Sequence, residues 1–120
     1  MTTATAIAKK ASTPGRINGI DTGALRASID EVRKDPGKGM TDFRVTTAWA
    51  GGFMTDTRVE DWTIGGATKP RGFVLRTDEP AELCGAGVAP NPQEALMAGL
   101  NACMMVGYVA LPFQIYDLTE

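Results

Sequence analysis

The residues of this chain best suited to chemistry are a thiol and a carboxylate on one stretch, Asn91-Pro92-Gln93-Glu94-Ala95-Leu96-Met97-Ala98-Gly99-Leu100-Asn101-Ala102-Cys103. A cysteine acts as a nucleophile when it is ionised, which requires a nearby cation or hydrogen-bond donor. Asn91 is a favoured N-cap, Pro92 suits the first helical position, and Glu94 stands where a capping box needs its acceptor. The spacing therefore predicts a helix with Cys103 about three turns in. No charged residue occurs from Ala95 to Tyr116, so this helix is expected to be buried and central. Gly99, Cys103 and Gly107 share one face, with Leu96, Leu100 and Met104 alongside. Small residues at that spacing let another backbone approach closely.

Two readings of Cys103 follow: a redox nucleophile, or a small core residue. Free cysteine is among the most buried residue types. Cys103 also lies too far from the helix N-terminus for the helix dipole to ionise it. A reactive thiolate would draw on Arg58, Arg71 or Arg76. The core reading predicts a buried Cys103 without a charged partner, reacting with peroxide no faster than a free thiol.

Composition closes several other routes. The chain has no histidine, which removes Ser-His and Cys-His pairs and every histidine-ligated metal site. Cys84 and Cys103 are too few for a zinc cluster, and no metal or cofactor is expected. A net charge of −2 gives no footprint for nucleic acid. Gly85-x-Gly87 is not followed by Gly-Lys-Ser/Thr and fits no dinucleotide fingerprint. Asp78 and Glu79, adjacent and just before Pro80, read as a turn rather than a catalytic pair. Lys9, Lys10 and Arg16 lie among Ala, Thr and Ser without an apolar segment, so residues 1–17 read as a disordered tail and not a secretory signal. The run from Ala95 to Leu111 is 17 residues long, interrupted by Gly99, Asn101 and Gly107 and flanked by acidic residues. It is expected to be a buried helix rather than a membrane span. The expected location is cytoplasmic.

The elements that must position the thiol are legible from periodicity. Leu25, Ile29 and Val32 predict an amphipathic helix over 24–34, preceded by Asn18-Gly19 and Asp21-Thr22-Gly23 and stopped by Asp35-Pro36-Gly37. Phe43, Val45, Thr47 and Trp49 alternate with Arg44 and Thr46, as a half-buried strand does. Ala50-Gly51-Gly52 turns the chain into a second strand near 54–64, and Phe73-Val74-Leu75 makes a third. The fold class expected is α+β: an antiparallel three-stranded meander packed on the long buried central helix.

Taken in order, these segments resemble the OsmC/Ohr family of osmotically induced proteins and organic hydroperoxide reductases. The residues that carry the resemblance are Asn18-Gly19-Ile20-Asp21 with Leu25-Arg26, then Trp49-x-Gly51-Gly52. Arg76-Thr77-Asp78-Glu79-Pro80 with Leu83-x-Gly85 follows, and then Asn91-Pro92-x-Glu94 with Cys103 nine residues on. The resemblance spans residues 18–109 and implies a domain from 18 to 120 that corresponds to the N-terminal half of the family fold. Family members continue with further strands, a helix and a resolving cysteine. It also implies an intertwined homodimer or higher oligomer that completes the half-domain.

In the peroxidase branch of the family the helical cysteine is the peroxidatic thiol, and this role falls on Cys103. That branch has an activating glutamate where Gln93 stands here; Glu94 matches the Asn-Pro-x-Glu pattern of the broader OsmC-like branch. Its activating arginine corresponds to Phe53. Cys84 stands where the family usually has glycine, and is the available substitute for a resolving thiol. The resemblance thus implies thiol-dependent reduction of organic hydroperoxides in oxidative stress defence, with Cys103 and Glu94 as site residues and a thiol reductant as partner. The alternatives are a non-catalytic OsmC-like module for oligomerisation or small apolar ligands, and a truncated product without activity of its own.

Overall fold

Asn18 and Gly19 both adopt the left-handed conformation, with φ of 52° and 81°, and so close a tight hairpin ahead of the first helix. This is the turn geometry whose twist matches two antiparallel strands. In the computed structural model, which describes residues 15–110, the strands are β1 (Arg16–Ile17) and β2 (Ile20–Asp21). The tail expected over 1–17 falls mostly outside the described residues, and its last three join this hairpin. Asp21 then caps α1 (Thr22–Lys34), accepting from the Ala24 N–H at 2.9 Å. Asp35 ends the helix: its N–H donates to the Glu31 carbonyl, and its side chain accepts from the Gly37 N–H at 3.1 Å. A 3-10 turn, Pro36–Gly39, follows. A Cβ at Gly39 would lie 2.8 Å from Cγ1 of Val32, so glycine is what lets this turn fold back onto α1.

The second sheet is built around β4 (Thr55–Ile64). Along one edge of β4 runs β3 (Thr41–Trp49); along the other run β5 (Ala67–Lys69) and then β6 (Phe73–Thr77), all antiparallel. The strands expected near 43–49, 54–64 and 73–75 correspond to β3, β4 and β6. β5 is an addition, three residues set between Gly65-Gly66 and Pro70. Phe43 pairs with Trp62 whereas Val45 pairs with Val59, so β4 carries one extra residue, a bulge, opposite Arg44. The two rings of the Phe43–Trp62 pair stack with centroids 5.1 Å apart.

Register sorts the sheet into two unlike faces, because cross-strand partners point the same way. Phe43, Val45, Trp49, Val59, Phe73 and Leu75 share one side. Asp42, Arg44, Asp56, Arg58 and Arg76 share the other. The last element is α2 (Pro92–Ala110). The described chain is thus a mixed α+β structure with two helices and antiparallel sheets.

Within one chain, the long helix is not buried. None of its residues is buried, and among the described residues it makes no extended contact with another element. Trp49 on the sheet is 78% exposed and Leu96 on α2 is 76% exposed. The radius of gyration is 19.3 Å, against about 13 Å for a compact domain of this size. The physical reason is an absence of layers: among the described residues the four-stranded sheet and α2 do not pack on each other, which leaves each apolar face without a second surface to exclude water.

Candidate functional site

The one fully buried side chain among the described residues is a carboxylate, Asp78, at 0% exposure. It accepts three backbone N–H bonds, from Glu79 at 2.8 Å, Ala86 at 3.1 Å and Val88 at 3.2 Å. Its own N–H donates to the Pro90 carbonyl at 3.0 Å. The segment between β6 and α2 is therefore wrapped around one anion, and the wrap fixes where α2 begins. Two features allow the close approach. A Cβ at Gly85 would fall 1.7 Å from the Glu79 carbonyl oxygen, so only glycine fits. Cys84, at φ 64°, takes the left-handed conformation after a 3-10 turn at Ala81–Leu83. Glu79 is half-buried, and its Oε2 is enclosed without a hydrogen-bond partner.

The turn reading of Asp78-Glu79 therefore misses the cage. Two of its three donors come from eight and ten residues away. The available signal was Gly85-x-Gly87 downstream of an aspartate, where absent side chains free backbone N–H groups to converge on an anion.

At the start of α2 the capping box is made in full. The Glu94 N–H donates to Asn91 Oδ1 at 2.8 Å, and the Asn91 N–H donates to Glu94 Oε2 at 2.8 Å. The Glu94 carboxylate is thereby committed to the helix start, nine residues before the thiol. Cys103 and Cys84 are both free and exposed. The expectation that Cys103 is buried does not hold among the described residues, where no other element packs along α2.

The three candidate cations are placed elsewhere. Arg76 clamps Asp56 with two bonds of 2.7 Å, and this pair lies on the polar face of the sheet. Hydrogen bonding to Arg76 holds the Asp56 carboxyl below the usual carboxylate range, and the same bond raises the guanidinium. Arg58 is cross-strand partner to Thr46 and Val74, also on the polar face. Arg71 stacks over the Phe73 ring, 5.0 Å from its centroid. The structure thus brings together Asn91 with Glu94 and Asp56 with Arg76, but it does not bring an arginine to Cys103 within the described chain.

Phe53 is 55% exposed at the tip of the β3–β4 hairpin. That tip is closed by the Ala50 N–H to the Met54 carbonyl at 2.9 Å and pinned by the Trp49 indole N–H donating to the Gly52 carbonyl at 2.9 Å. Among the described residues, no group of three or more His, Cys, Asp and Glu side chains could hold a metal ion, and no helix is long and apolar enough to cross a membrane. No protein-family model matches the chain, and no curated protein matches it.

Proposed function

We propose that this chain is an OsmC-like protein that works as a homo-oligomer and reduces organic hydroperoxides through Cys103, in cytoplasmic defence against oxidative stress. The observation that carries the reading is Cys103 itself. It is an exposed thiol on a helix that carries no charged residue after Glu94, and whose Asn91-Pro92-x-Glu94 start is realised as a reciprocal cap. Cys84 adds support, since its left-handed backbone is the conformation glycine holds at no steric cost, at the position where the family usually has glycine. In this reading the meander's apolar face and α2 are brought together by assembly, each chain supplying a layer the other lacks.

The chemistry is that of a thiol peroxidase. The Cys103 thiolate attacks the terminal oxygen of R–O–OH, the O–O bond breaks, the alkoxide leaves and takes up a proton as the alcohol, and Cys103 becomes a sulfenic acid. A thiol reductant then forms a mixed disulfide with release of water, and a second thiol restores Cys103. Arg76 is held by Asp56 and Arg71 stacks on Phe73, so in this reading the cation or hydrogen-bond donor that a reactive thiolate needs is brought to Cys103 on assembly.

A second reading, a non-catalytic OsmC-like module for assembly or for an apolar ligand, is favoured by the same arginine placement and by Phe53 in place of a cation. Treating the assembled protein with cumene hydroperoxide or hydrogen peroxide, and trapping sulfenic acid, separates the two. Labelling at Cys103 supports the first, and its absence in a folded oligomer supports the second.

A further inference from the structure

One side of the four-stranded sheet ends in strand β3. It pairs with β4 alone among the described residues, and all nine of its residues are exposed. Its ladder with β4 is anchored at both ends, by the Ala50 N–H to the Met54 carbonyl and by the Gly65 N–H to the Met40 carbonyl, each 2.9 Å. Antiparallel ladders alternate, so the even-numbered residues of β3 direct their backbone groups to β4. The odd-numbered ones, Thr41, Phe43, Val45, Thr47 and Trp49, direct theirs outward. A long edge of this kind carries unpaired donors and acceptors and is a template for another strand. It has no proline, lysine or glycine to blunt it, and its bulge lies across the strand on β4.

We propose that this edge is an interface between two copies of the chain, with β3 pairing antiparallel to β3 about a two-fold axis at Val45. In that register Thr41 faces Trp49 of the second copy and Phe43 faces its Thr47. Every outward-directed residue meets another outward-directed one, giving about ten backbone hydrogen bonds; a two-fold at Arg44 or Thr46 gives about eight, and one at Phe43 or Thr47 about six. The odd residues are also those of the apolar face, so the joined sheet presents one continuous apolar side, double the width, on which a helix layer can rest. Charge does not oppose the contact. Arg44 is neutralised within its own strand by Asp42, at 2.9 and 3.1 Å, and lies opposite Thr46 of the second copy. The pairing concerns the sheet edge and stands whether or not Cys103 reacts with peroxide.

Spin labels on the polar face read the register directly. With Cys84→Ser and Cys103→Ser as background, a label at Thr46→Cys should lie about 8 Å from its copy, and one at Ala48→Cys about 21 Å, from strand rise and spacing. A two-fold at Phe43 would give about 21 and 34 Å, and one at Thr47 about 8 Å at both sites. Val45→Pro removes an outward N–H without touching the bonds to β4. It should abolish the short distance while leaving the far-ultraviolet circular dichroism unchanged. A monomer, or an oligomer lacking the 8 and 21 Å pair of distances, overturns the proposal. So does unimpeded amide exchange at Phe43, Val45 and Thr47 in the folded wild-type chain.

Discussion

Asn91 and Glu94 hold each other's backbone: each side chain accepts from the other's N–H, both at 2.8 Å. Pro92 has no N–H, so two of the three donors left free at this helix start are thereby satisfied. Asn91→Ala should therefore cost about 1 kcal/mol in a urea titration. Glu94→Ala should also destabilise the chain while leaving the thiol chemistry of Cys103 intact, because the carboxylate is engaged nine residues away. A fall in peroxide reactivity of folded Glu94→Ala would assign Glu94 a part in the reaction itself.

That pair was legible in the sequence because capping is local chemistry: four residues contain both bonds. The same holds for Asp21 at the start of α1. The strands were legible from alternation wherever it ran for several residues, as from Phe43 to Trp49. β5 was not, since three residues beside two glycines have no period to read. Nor was the Asp78 cage, whose partners are far along the chain. The apolar run of α2 is a surface that water solvates poorly, but composition cannot say which surface would cover it. The sheet was expected to pack on α2, with oligomerisation completing its cover; among the described residues α2 is left exposed.

Asp78 is the anchor between β6 and α2. Asp78→Ala would leave the N–H groups of Ala86 and Val88 without their acceptor, at a cost of about 2–3 kcal/mol. Gly85→Ala should be at least as damaging, because its Cβ would meet the Glu79 carbonyl oxygen at 1.7 Å. Limited proteolysis should open both variants between residues 79 and 90 before it cuts the strands.

The Asp56–Arg76 clamp makes stability depend on acid. The folded carboxyl titrates below its unfolded value because Arg76 bonds to its charged form. Its contribution is therefore present above the ordinary carboxylate range, near 4, and is lost as pH falls through the lowered folded value. Melting temperatures of wild type and Asp56→Asn should converge at low pH and separate toward neutrality, with wild type higher. Parallel curves across the whole range would show that the clamp adds nothing.

Exposed Trp49, Phe43, Leu75, Leu96 and Met105 make an apolar surface that soluble monomers rarely display. Light scattering should find a homodimer or larger species at micromolar concentration. A folded monomer that stays monomeric would contradict the assembly on which the proposed site depends.

The most direct test of the account is the rate at which Cys103 is oxidised in the assembled protein. Stopped-flow mixing with cumene hydroperoxide should give rapid, saturable oxidation with a trappable sulfenic acid, lost in Cys103→Ser and retained in Cys84→Ser. Oxidation of both thiols no faster than that of a free cysteine, in a folded oligomer, would contradict the peroxidase reading and leave Cys103 as a packing residue.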